Sequence, residues 1–217
     1  MTYILAIDGP SGSGKSTISV KLAEILEIEY LNTGSMYRAV TKYFLDNNIK
    51  EDASDCKISE ALDDINIDFI ENNIYINGEN VEGDIRTDLV TKNVSWVSAN
   101  GLVRQRLVEM QREIANEKSF VLDGRDIGTV VFPNAKYKFY LTANAHQRAI
   151  RRFFQNESGL SIDELEQAII QRDLYDSTRA ISPLKKADDA IEIDNSNQTI
   201  EETVKTILDN MEKDDVV

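Results

Sequence analysis

The sequence predicts an α/β fold of three layers, with a parallel central sheet between helices, and three observations predict it. A short apolar run opens the chain and enters a glycine-rich loop; a helical stripe follows that loop at once; and apolar runs recur between helical patterns further along. The first run, Tyr3 to Ile7, has no polar interruption, as suits a strand covered on both faces. The loop is Asp8-Gly9-Pro10-Ser11-Gly12-Ser13-Gly14. From Lys15 onward, Ile18, Leu22, Ile25 and Leu26 lie on one helical face. Phe120-Val121-Leu122, Tyr137 to Leu141 and Ala190 to Ile193 read as further buried strands, and Ile200, Val204, Ile207, Leu208 and Met211 mark the last helix. The middle breaks this rhythm. Ile65, Ile67 and Phe69 alternate with polar residues, Asn72-Asn73 offers a turn, and Ile74-Tyr75-Ile76 leads into the hairpin signal Asn77-Gly78. These features predict a small antiparallel insert over about residues 63–84, then helical segments over 87–99 and 102–116. Lys213 to Val217 reads as a frayed tail.

With 24 basic against 38 acidic residues, the formal net charge is −14. That excludes a general nucleic-acid binder, which needs a positive face to displace counterions from phosphates. No stretch approaches the roughly 20 apolar residues of a membrane span, and Met1-Thr2-Tyr3-Ile4-Leu5 runs into core-like sequence without a basic leader. The expectation is a cytoplasmic protein with no membrane partner. One cysteine, Cys56, leaves no internal disulfide, and one histidine, His146, leaves no His/Cys cluster with metal-ligand spacing. Zinc chemistry and a Ser-His-Asp triad are thereby disfavoured. Cys56 and Trp96 read as packing residues, and His146 as part of a helix surface.

Gly9-x-x-x-x-Gly14-Lys15-Ser16 matches the phosphate-binding loop and lies where that chemistry needs it, between a buried strand and an amphipathic helix. The glycines let main-chain N–H groups wrap phosphates at a helix N-terminus. Lys15 then reaches the β- and γ-phosphates, and the Ser16 hydroxyl ligates Mg²⁺. The loop alone does not choose between a switch protein, a motor and a kinase; the acceptor must decide.

Four clusters are candidates for holding an acceptor, each with a plainer reading beside it. Thr33-Gly34-Ser35 reads as a cap leading into a helix that carries Tyr37 and Arg38, or as an ordinary helix start with a solvated arginine. Asp123-Gly124-Arg125-Asp126-Ile127-Gly128 follows an apolar strand, where polar groups of open α/β sheets face the ligand; a charged surface turn is the other reading. Ser161-Ile162-Asp163-Glu164 is a capping box, and beyond it Arg172, Asp176 and Arg179 share one face, as solvated helices also arrange their charges. His146, Arg148, Arg151 and Arg152 concentrate positive charge in an acidic chain, pointing either to anion binding or to an amphipathic face.

Taken together, Asp8 to Thr17, Thr33 to Ala39, Asp123 to Pro133 and Arg172-Asp173 through Arg179 to Leu184 resemble the bacterial cytidylate kinase family over nearly the whole chain. The Gly-Arg-Asp-Ile-Gly-Thr-Val-Val-Phe-Pro stretch is far more specific than the phosphate loop. The resemblance implies a three-layer P-loop NTPase fold with a nucleoside-monophosphate-binding insert and a short lid, and transfer of the γ-phosphoryl group of ATP to CMP or dCMP with Mg²⁺. It implies one kinase domain with a core of about 1–62, 85–145 and 172–217, an insert of about 63–84 and a lid of about 146–171; a monomer is expected, although the sequence does not fix the oligomeric state. Gly9, Pro10, Ser11, Gly12, Ser13, Gly14, Lys15, Ser16 and Thr17 would hold ATP, with Ser16 on the metal. Thr33, Arg112 and Asp126 would address cytosine, Tyr37, Arg38 and Arg125 the monophosphate, and Arg172, Asp176 and Arg179 the ribose and phosphates. Lys15, Arg125, Asp126, Arg148 and Arg152 would act on the transferred group, with Arg151 a further lid candidate and Asp123 helping to place the metal through water. Asn32 stands where the family usually has Asp, which removes a charge beside the acceptor residues.

The implied pair has a chemical rationale. Cytosine offers an amine donor and the acceptors N3 and O2, complementary to a carboxylate and a guanidinium, whereas uracil offers the opposite pattern and leaves buried groups unpaired at about 1–3 kcal/mol each. Because the acceptor is already a phosphate oxyanion, no strong general base is required, only alignment, charge neutralisation and a lid that excludes water. A kinase preferring UMP or AMP is the alternative enzyme. A nucleotide-gated switch without an acceptor is the alternative outside enzymes.

Overall fold

The computed structural model describes residues 2–70, 73–155 and 159–215. In chain order its elements are β1 (Ile4–Asp8), α1 (Lys15–Leu26), β2 (Glu29–Asn32), α2 (Thr33–Asp46), α3 (Asp55–Asp63), β3 (Ile67–Ile70), β4 (Asn73–Ile76) and β5 (Glu79–Asn80). Then follow α4 (Asp88–Ala99), α5 (Gly101–Ile114), β6 (Phe120–Gly124), β7 (Tyr137–Thr142), α6 (Ala145–Phe154), α7 (Ile162–Thr178), β8 (Ile191–Asp194) and α8 (Ile200–Asp215). The chain divides into two compact units, one holding the described residues up to Leu31 and from Ala115 onward, the other Asn32–Ile114.

The first unit is built on a five-stranded sheet in the order β2-β6-β1-β7-β8. β1 pairs in parallel with β6 and β7, and β7 in parallel with β8. Leu5, Ala6 and Ile7 are consecutive and each no more than 1% exposed, so both faces of β1 are covered, as its unbroken apolar run requires. Ile18 and Leu22 of α1 and Val204, Ile207 and Met211 of α8 pack with Leu5, Ile7, Val121, Phe139 and Leu141 in one core. Ile25 departs from the predicted stripe: it is 56% exposed, while Leu26 packs against the core. α6 and α7 meet through Ala149, Leu165 and Ile169. The capping box predicted at Ser161 is present in full, with Glu164 N donating to Ser161 Oγ and Ser161 N to Glu164 Oε2.

The second unit carries the predicted antiparallel insert as the three-stranded sheet β3-β4-β5. Asn77 and Gly78 both adopt left-handed backbone, at φ 50° and 84°, as a tight hairpin turn demands. The turn predicted at Asn72-Asn73 includes Asn72, which lies outside the described residues. α2 packs on α4, where Phe44 stacks on Trp96 with ring centroids 6.0 Å apart.

Three expectations are corrected, and two elements stand where none was expected. β2 and α3 have no counterpart in the sequence reading. The cap of α2 is Asn32, whose side chain accepts from Ser35 N, and Thr33 is already helical. Cys56 is exposed rather than packed. α8 runs to Asp215, past the predicted start of the tail at Lys213; Val216 and Val217 lie outside the described residues.

Candidate functional site

The first unit's polar residues gather at the carboxyl ends of its strands. Gly9 follows β1 where a Cβ would lie 2.0 Å from the Leu141 carbonyl oxygen, so the close pass of loop against β7 excludes any side chain. Gly14, at φ 86°, is the left-handed residue from which α1 starts. Lys15 is 6% exposed and its Nζ donates to Pro10 O at 2.7 Å and to Ser13 Oγ at 3.4 Å. Burial first, and then the charge of Arg125, hold the ammonium well below the usual lysine range. A polyanion placed beside it would favour its charged form, which suits a phosphate-binding lysine.

Ser16 Oγ donates to Asp123 Oδ2 at 2.7 Å, and Tyr30 Oη to Asp123 Oδ1 at 3.0 Å. Asp123 sits within β6 and is buried, which pushes its carboxyl up, with Lys15 opposing. Asp8, at the end of β1, accepts from the main-chain N–H of Ile127 and of Gly128, both at 2.8 Å. It thereby pins the single π-turn Ile127–Val131 that follows Asp126. Burial pushes Asp8 up to about 6, against the lowering effect of those two donors.

Asp126 and Asp176 are 4% and 2% exposed, and arginines surround them. Arg125 Nε donates to Asp176 Oδ2 at 3.1 Å; Arg172 and Arg179 lie 4.0 Å from Asp176, and Arg179 also lies 3.9 Å from Asp126. Arg172 is pulled down to about 10, by burial first and by Arg125 next. Among the described residues, three guanidiniums thus lie within 4.0 Å of these two largely buried carboxylates, with Asp173 also acting on Arg172, an arrangement rich in arginine that would suit an anion. The stripe on α7 is therefore not a solvated face.

The three arginines of α6 have different surroundings. Arg148 is buried and committed: its Nε donates to Ala143 O, its NH1 to Ser11 O, and it pairs with Asp173. Arg151 donates twice to Asn195. Arg152 Nε is buried with no hydrogen-bond partner among the described residues, and its charge depresses Arg172. His146 is exposed and pairs with Glu166, as expected of a helix surface. Thr17 is exposed at the start of α1.

The remaining candidates belong to the second unit. Thr33 and Tyr37 are buried on α2, and Arg38 NH1 donates to Ile85 O and Thr91 Oγ1, both at 3.0 Å. Arg112 is exposed in the last turn of α5. On the same helix Arg104 is 3% exposed, lies over the Tyr37 ring with its Cζ 5.5 Å from the centroid, and donates to Ser98 O. The sequence reading missed Arg104, although Leu107 and Val108 three and four residues on place it on the apolar face. Asp173 and Asn195 were also missed as site residues; each depends on contacts with the phosphate loop that no local pattern reveals.

A model described as cytidylate kinase matches residues 5–213. A cytidylate kinase of Fusobacterium nucleatum is 48% identical over 214 residues, covering 97% of each chain. One from Halalkalibacterium halodurans is 43% identical over 211 residues, covering 94% of this chain and 95% of its own. Among solved structures, a gluconokinase from Sinorhizobium meliloti aligns with a TM-score of 0.52 at 13% identity, covering 98% of this chain and 92% of its own. A shikimate kinase from Bacteroides thetaiotaomicron also gives 0.52 at 13% identity, covering 97% and 98%. At such low identity these two structures bear on the fold alone.

Proposed function

The chain belongs to the cytidylate kinase family, and from that premise we propose that it transfers the γ-phosphoryl group of ATP to CMP, and to dCMP as well, releasing ADP with CDP or dCDP. The observation that carries the reading is the pairing, within one unit, of a phosphate loop bearing the buried Lys15 with a cluster in which Arg125, Arg172 and Arg179 lie within 4.0 Å of Asp126 or Asp176. A switch protein needs the loop but has no use for the second anion site.

In this reading Gly9 to Thr17 hold the donor, Lys15 neutralises charge on its phosphates, and Arg125, Arg172 and Arg179 hold the acceptor's phosphate and ribose, with Asp176 setting their spacing. Among the lid arginines, Arg152 is the better candidate for touching the transferred group, because Arg148 already serves the loop and Asp173. Mg²⁺ fits the hard oxygen pair of Ser16 and Asp123 and would supply charge neutralisation between donor phosphates. Asp126 would accept from the exocyclic amine of cytosine. In the second unit, Thr33, Tyr37 and Arg38 keep their proposed acceptor roles, and the guanidinium role passes from Arg112 to Arg104. A solvated arginine distinguishes bases weakly, whereas a desolvated one left unpaired is costly.

Rates of ADP formation from ATP with CMP, dCMP, UMP and AMP test the assignment. CMP and dCMP are expected to be the preferred acceptors; equal or faster turnover of UMP would sink the cytosine reading.

A further inference from the structure

A planar trans peptide points the carbonyl of one residue opposite to the N–H of the next. A loop that turns N–H groups inward to grip phosphate therefore turns carbonyls outward, where each needs a donor. Four carbonyls of the phosphate loop meet this need. Pro10 O accepts from Lys15 Nζ and Ser13 Oγ, Ser11 O from Arg148 NH1, and Gly14 O from Ile18 N. Ser13 O accepts from Asn195 Nδ2 at 2.9 Å.

Asn195 comes from the far end of the chain, just beyond β8, and is 2% exposed. Its own N–H is anchored to Thr142 O at 2.9 Å, so the side chain is presented from a fixed point on the sheet. Its Oδ1 accepts from Arg151 NH1 at 3.0 Å and its carbonyl from Arg151 NH2 at 2.6 Å. The amide is thus satisfied on both sides. The peptide it grips ends in Gly14, at φ 86°, a residue with no Cβ to resist rotation.

We propose that Asn195 is a positioning residue for the phosphoryl donor: by holding Ser13 O outward it fixes the Ser13–Gly14 peptide plane with the Gly14 N–H turned into the loop, toward the donor's phosphates. The inference rests on the ATP reading above and deepens it. Arg151, gripping the other side of the amide, prevents Asn195 from flipping its donor and acceptor ends.

Calorimetric binding of ATP to the full-length protein, with steady-state KM values for ATP and CMP, tests this in Asn195→Ala, Asn195→Asp and Arg151→Ala. Asn195→Asp retains an acceptor for Arg151 but sets a carboxylate oxygen against Ser13 O, so it isolates the contact with the loop. Asn195→Ala is expected to weaken ATP about tenfold, the loss of one buried hydrogen bond. Asn195→Asp should weaken it at least as much and Arg151→Ala less, with KM for CMP staying within about twofold in all three. Where Asn195→Ala fails to fold, Asn195→Ser, a shorter donor, should fall between it and the unmodified protein. Unchanged ATP affinity in Asn195→Asp, or KM values for ATP and CMP rising together, would overturn the proposal. An unmodified protein that binds no ATP would instead overturn the donor reading itself.

Discussion

Two arginines on one helix, eight positions apart, illustrate what a residue's surroundings add to its identity. Arg112 is exposed, whereas Arg104 is buried against Tyr37. Removing a buried guanidinium from a base-reading role exposes a desolvation cost that removing a solvated one does not. Arg104→Lys is therefore expected to raise KM for CMP by roughly tenfold or more, with KM for ATP little changed, while Arg112→Ala leaves both near normal. The reverse pattern would return the role to Arg112. At this scale the sequence was informative where residue type and spacing carry the chemistry. Gly9, Gly14, Lys15 and Ser16 are legible because no other residues satisfy a close backbone pass, a left-handed turn and a phosphate charge in that order. Arg104 and Asn195 were not, because their roles depend on burial and on a partner distant in the chain.

Elements were legible in proportion to the strength of their periodicity. β1, β6 and β7 announced themselves through unbroken apolar runs, and Ser161 with Glu164 marked the start of α7. β2 was hidden because Glu29-Tyr30-Leu31-Asn32 is short, mixed in character, and buries only Leu31 fully. The π-turn Ile127–Val131 was equally invisible, since its support comes from Asp8 on another element. The burial of Asp8, which outweighs the lowering effect of its two main-chain donors, has a consequence for stability. Burial raises Asp8 from 3.8 to about 6, so the folded chain retains a proton that the unfolded chain releases. The resulting stabilisation is complete below 3.8 and is lost as pH rises through about 6. Asp8→Asn stays neutral, so urea unfolding across that window should show a flatter pH dependence than in the unmodified protein. An unaltered slope would mean that Asp8 keeps its ordinary acidity.

At the scale of the whole molecule, a net charge of −14 conceals a local gathering of arginines, and in the proposed reading that contrast would favour small anions at one region while general polyanions are repelled. Fold class and the antiparallel insert were legible because layer architecture follows from the order of periodic segments. The division of the chain at Leu31/Asn32 and Ile114/Ala115 was not, because no proline-rich or glycine-rich linker marks it. The proposed function rests on membership of a family named for one reaction, with the phosphate loop read as the donor site and the arginine-rich cluster as the acceptor site. The decisive measurement is the product balance in a single reaction of ATP with CMP, resolved by chromatography of the nucleotides. CDP and ADP appearing in equal amounts, with no free phosphate, is the predicted result. ADP accumulating with inorganic phosphate while CMP stays unconsumed would contradict it.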